Sequence, residues 1–121
     1  MKIVYSETPE ELGQKAAKQA ADLLRGAISQ NNAARLLLST GASQFTTIEA
    51  LAKEHLDWGK VEMFHLDEYI GITEEHPASF VRYLKERFAD NVSLKAAHFV
   101  DTSGDVGEKM KALSEIGRAH V

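Results

Sequence analysis

Two hydrophobic periods alternate along the chain. Residues 3–5 (Ile3, Val4, Tyr5) are apolar and β-prone and predict a first short strand. Thr8-Pro9-Glu10-Glu11 then reads as a helix start. Thr8 can cap, Pro9 suits the first helical position, and Glu11 can complete a capping box. Leu12, Ala16, Ala20, Leu23, Leu24 and Ile28 follow at helical spacing, towards an end near Asn31-Asn32. Arg35-Leu36-Leu37-Leu38-Ser39 is apolar without alternation, the pattern of a parallel strand covered on both faces. Thr40-Gly41-Ala42-Ser43 breaks it. Phe45, Ile48, Leu51, Ala52 and Leu56 then mark a second amphipathic helix from about Ser43, in a segment that Trp58-Gly59 ends. Val61-Glu62-Met63-Phe64-His65-Leu66 predicts another strand. A loop over residues 67–76 leads to Pro77, which opens a third helix with Phe80, Tyr83, Leu84 and Phe88 as its stripe. His98-Phe99-Val100 predicts a fourth, short strand, and residues 108–113 start a last helix.

The order is βαβαβα followed by a weaker βα. Such alternation predicts an α/β protein with a mostly parallel sheet and helices on both faces. A doubly wound sheet usually carries more strands than these, so the chain reads as truncated. Residues 1–113 are expected to be the N-terminal part of a longer α/β domain, and residues 114–121 a tail open to being non-native.

Composition narrows the choice. The net charge is −4 and the basic residues are scattered over helix faces, which argues against a nucleic-acid partner. There are no cysteines, so disulfides, thiolate nucleophiles and thiolate metal sites are excluded. The N-terminus lacks the apolar run of a signal peptide, and no apolar stretch approaches the roughly 20 residues that span a bilayer. The expectation is a cytoplasmic protein without a membrane partner. His55, His98 and His120 have no partner at ligand spacing and no metal site is expected. Whether the chain forms a homo-oligomer is left open.

In open parallel sheets, ligands bind beyond the carboxyl ends of the strands. Two such ends carry candidate chemistry. At Ser39-Thr40-Gly41-Ala42-Ser43, a strand, a glycine turn and a helix follow directly. Free backbone N–H groups, the helix dipole and three hydroxyls make a phosphate cradle there. The same residues also read as an ordinary capped turn with Ser43 as N-cap. At Leu66-Asp67-Glu68-Tyr69 two carboxylates follow a buried strand. A partly desolvated carboxylate at that point suits a general base. From the dipeptide alone, a loop carboxylate capping a nearby N–H is the plainer reading.

Leu66-Asp67-Glu68-Tyr69-Ile70-Gly71, followed by His76-Pro77-Ala78-Ser79-Phe80, resembles the signature of glucosamine-6-phosphate deaminases (isomerases). Ser39-Thr40-Gly41-Ala42-Ser43 resembles that family's phosphate-binding loop, with Ser39 where Pro is usual and Ala42 where Gly is usual. The resemblance covers residues 3–102. It implies a three-layer αβα sandwich and conversion of glucosamine 6-phosphate and water to fructose 6-phosphate and ammonia. Asp67 would be the base moving a proton between C2 and C1. Ser39, Thr40, Gly41, Ala42 and Ser43 would hold the phosphate of a small sugar-phosphate substrate. Glu68 and Tyr69 would support the Asp67 loop and count with these among the substrate-binding residues, and no cofactor is implied. The family's ring-opening histidine and its acidic partners lie in a later segment not matched here, so the chain alone is expected to be inactive. Related 6-phosphogluconolactonases usually carry Asp-Glu-Arg where Asp67-Glu68-Tyr69 stands. A lactonase of that kind, or a non-catalytic sugar-phosphate-binding effector domain, is the alternative.

Overall fold

The computed structural model describes residues 1–118, the last of them by its backbone alone. The first helix, α1 (Pro9–Asn31), starts where the sequence places it. Thr8 Oγ1 accepts from Glu11 N at 3.1 Å, and Glu11 Oε2 reaches back to accept from Glu7 N at 3.2 Å. The capping box thus closes one residue further out than its usual form. The helix ends on Asn32, whose left-handed conformation (φ 58°) turns the chain into the sheet.

Three strands follow: β1 (Ala34–Leu38), β2 (Val61–His65) and β3 (Ala96–His98). They form one parallel sheet in the order β1-β2-β3, with Leu38 opposite His65 and Phe64 opposite His98. A short 3-10 turn (Ala42–Gln44) leads into α2 (Phe45–Ala52). Helix α3 (Phe80–Arg87) joins β2 to β3, and α4 (Val106–Arg118) follows β3.

One face of the sheet is packed. Ala17, Ala21 and Leu24 of α1, Ile48 and Leu51 of α2, Leu84 of α3 and Phe88 at its C-cap bury against Ala34, Val61 and Met63. Trp58 closes this core edge-to-face on Phe88, ring centroids 5.4 Å apart. Gly13 lets α1 and α2 meet: a Cβ there would lie 2.6 Å from the Thr46 carbonyl carbon. On the other face, Arg35 Nη1 donates to the Gly117 carbonyl of α4 at 3.2 Å. The layers are therefore helices, parallel sheet, helix.

Several expectations need correction. Residues 3–5 form no strand, and Ile3 and Tyr5 are 61% and 85% exposed. A strand exists only through a pairing neighbour, and no described strand offers those residues a ladder. The strand expected at residues 98–100 lies two residues earlier. Strand β1 is covered on one face rather than two, with Leu37 64% exposed, because α4 reaches only part of the second face. Helix α2 ends at Ala52, short of Leu56. Pro77 does not open α3; Ser79 caps it, its Oγ accepting from Arg82 N at 3.2 Å. The boundary drawn at residue 113 falls inside α4, and His120 lies outside the described residues.

Candidate active site

The carboxyl ends of β1 and β2 are adjacent. Leu66 N donates to Leu38 O at 3.0 Å, the last rung between them. Strands in a sheet lie about 4.8 Å apart, so the turn after Leu38 and the loop after Leu66 leave side by side. The sequence patterns thus bring the Ser39–Ser43 turn and Asp67 to one edge.

The turn is shaped by Gly41, at φ 131°, a conformation that side chains disfavour. Ala42 does not share it: Asn32 is the positive-φ residue among the described non-glycines. Alanine at that position is therefore unstrained. Gln44 N donates to Gly41 O at 3.0 Å, and Tyr83 Oη donates to the same carbonyl at 2.9 Å. In a trans peptide the next N–H points the opposite way, so the Ala42 amide faces out of the turn. No side chain caps the 3-10 turn or α2. Ser43 is exposed and is not an N-cap, which removes the ordinary-cap reading. Ser39 is exposed and Thr40 half-buried.

The two carboxylates diverge. Asp67 is exposed, and no hydrogen bond or ion pair engages its side chain among the described residues. It is not the partly desolvated group expected from sequence. Glu68 is fully engaged. Its Oε1 accepts from Tyr69 N (3.0 Å) and Phe80 N (2.9 Å), and its Oε2 from Ser79 Oγ (2.6 Å) and Val81 N (3.0 Å). Burial raises its pKa, but these four donors overcome that and hold it below the usual glutamate range. Tyr69 is 51% exposed, with its ring 4.9 Å from that of Phe80, and its carbonyl accepts from Thr102 Oγ1 at 2.9 Å. Gly71 (φ 90°) turns the loop. His76 Nδ1 accepts from Ala78 N at 3.0 Å, which shapes the approach to Ser79.

His65 ends β2 from the packed side. It is buried, and its Nε2 accepts from Val100 N at 2.8 Å, tying β2 to the loop after β3. Accepting at Nε2 puts the neutral ring's proton on Nδ1. Burial lowers the His65 pKa, opposed in part by the Asp67 carbonyl and the charges of Glu68 and Asp67.

Sequence reasoning assigned Tyr83 to the core stripe and missed its link to Gly41. The two are 42 positions apart, and no local pattern reports such a bond. It also missed Arg87, whose guanidinium lies 3.6 Å from the centre of the Phe45 ring, where cation–π attraction buttresses the start of α2. A cleft of about 400 Å³ behind the loop is lined by Glu68, Val81, Lys85, Phe99 and Asp101. Neither Asp67 nor the turn lines it, so the candidate site is an open ledge. Among the described residues, no group of three or more His, Asp or Glu side chains could hold a metal ion. No described helix is long and apolar enough to cross a membrane.

This is a Rossmann-like α/β protein with an uncapped hydroxyl-rich turn and a strand-end carboxylate on one edge. Comparison with known proteins carries the identification further. The model of the glucosamine-6-phosphate isomerase/6-phosphogluconolactonase family matches residues 7–119, and the chain belongs to that family. A glucosamine-6-phosphate deaminase of Rhodococcus opacus is 31% identical over 109 residues, covering 87% of this chain and 40% of that protein. A solved monomeric glucosamine-6-phosphate deaminase superposes with a TM-score of 0.82 at 25% identity, over 98% of this chain and 51% of its own. A 6-phosphogluconolactonase of Shewanella baltica gives a TM-score of 0.76 over 90% of this chain and 48% of its own. At its 24% identity that likeness speaks for the fold. The chain thus spans about half or less of the relatives it matches.

Proposed function

We propose that this chain carries the phosphate-binding and proton-transferring half of an amino-sugar-phosphate isomerase/deaminase site. The reading rests on one juxtaposition: an uncapped, glycine-shaped turn and an unengaged carboxylate leave adjacent parallel strands at the same edge. The turn offers the outward Ala42 amide and the hydroxyls of Ser39, Thr40 and Ser43 to a dianionic phosphate. A sugar anchored there extends across the edge to Asp67. The Asp67 carboxylate takes the C2 proton of the opened sugar and returns it at C1. The amine leaves as ammonia once water attacks C2, giving fructose 6-phosphate from glucosamine 6-phosphate. Anchoring supplies the orientation that makes this transfer effectively intramolecular. Glu68 supports the loop, and Tyr69, in place of the arginine usual in the lactonases, favours the deaminase reading over the lactonase one.

The test is a coupled ammonia assay with glucosamine 6-phosphate on a polypeptide of the relatives' length that carries this sequence. Asp67→Asn is expected to lower the rate by about 100-fold or more, the scale of a lost general base. Equal ammonia release by both forms overturns the assignment.

A further inference from the structure

We infer that Glu68 is a positioning residue: its carboxylate clamps the strand-end loop to the N-terminus of α3 and thereby aims Asp67, rather than touching substrate. The inference rests on the proposed role of Asp67. Each Glu68 oxygen already accepts two hydrogen bonds, one pair from Tyr69 N and Phe80 N, the other from Ser79 Oγ and Val81 N. A carboxylate has about four acceptor positions, so none is left for a sugar hydroxyl. The donors sit on two elements. Tyr69 N belongs to the loop that carries Asp67, while Ser79, Phe80 and Val81 form the cap and first turn of α3. One side chain therefore bridges the loop to the helix.

Helix α3 is itself fixed. Leu84 and Phe88 are in the core, and Tyr83 Oη holds the Gly41 carbonyl. The clamp thus references Asp67 and the phosphate turn to one rigid body. It also fills the α3 N-terminus with an internal anion, which leaves the uncapped α2 turn as the open anion acceptor at this edge. Glutamine is no substitute for Glu68. Its NH2 would face either the Tyr69 and Phe80 amides or the Val81 amide and Ser79, donor against donor.

The experiment is NMR on the 121-residue chain, with Glu68→Gln and, should that variant fail to fold, Ser79→Ala, which removes one donor. Three readouts are taken: amide exchange at Phe80 and Val81, the Asp67 side-chain rotamer from its χ1 scalar couplings, and glucosamine 6-phosphate-dependent shifts at Gly41, Ala42 and Ser43. The inference predicts exchange about tenfold or more faster at Phe80 and Val81, the size of one lost charged hydrogen bond. It also predicts a changed Asp67 rotamer distribution and phosphate-turn shifts that persist. An unchanged Asp67 rotamer overturns it, whether or not exchange is faster. So does loss of the ligand shifts with exchange intact, which makes Glu68 a ligand contact. If the unsubstituted chain shows no ligand shifts at all, the proposed function fails, and the first two readouts still judge the clamp.

Discussion

Asp67 and Glu68 are consecutive, yet the Glu68 carboxylate meets four donors and the Asp67 carboxylate none among the described residues. The dipeptide is legible in the sequence as a strand-end pair, but its division of labour is not. Which carboxylate caps and which stays free depends on Ser79, Phe80 and Val81, and residues eleven to thirteen positions away report nothing locally. The capping that sequence reasoning expected of the pair does occur, and Glu68 performs it. Tyr83 is the other residue whose role is non-local. Removing its hydroxyl with Tyr83→Phe leaves the Gly41 carbonyl with Gln44 N as its remaining donor. A cost of about 0.5–1.5 kcal/mol in urea denaturation is expected, the net worth of a neutral hydrogen bond. Affinity for glucosamine 6-phosphate should fall as the turn loosens.

Among the elements, α1, α2 and the strands with long apolar runs are legible because their signals are local: a cap, a 3.6-residue stripe, an unbroken run. Pro77 suits a first helical turn and on sequence alone sets the start of α3 three residues early. The bond from Ala78 N to His76 Nδ1 and the Ser79 cap set the start instead. Gly13 is a poor helix former by propensity, yet it is a packing requirement here. Gly13→Ala gains helix propensity but drives a Cβ into the Thr46 backbone. A net loss of about 1–3 kcal/mol is expected from overpacking, read as a lower urea midpoint. His65 couples two elements and adds a pH dependence. Burial pushes its pKa below 6.5, so the folded chain binds fewer protons than the unfolded one. Its contribution is full above the unfolded value and is lost as pH falls from there through the folded value. Stability is expected to drop as pH falls below about 6.5, with a shallower drop in His65→Phe although that variant is less stable throughout.

At the scale of the molecule, the α/β class was legible from alternating periods, and the family from the motifs at two strand ends. The number of strands was not. Residues 3–5 have strand propensity without a pairing strand among the described residues, and propensity cannot supply one. Leu37 and Leu66, each 64% exposed, leave apolar surface beside the edge that carries the turn and Asp67. The central claim is that this edge binds a phosphorylated sugar through residues 39–43, with Asp67 beside it. The measurement that tests it most directly is a backbone NMR titration of the chain with glucosamine 6-phosphate, run beside glucosamine lacking the phosphate. The account predicts shifts at Gly41, Ala42, Ser43 and Asp67 with the phosphorylated sugar alone. No shifts at these residues, or equal shifts with glucosamine, would contradict it.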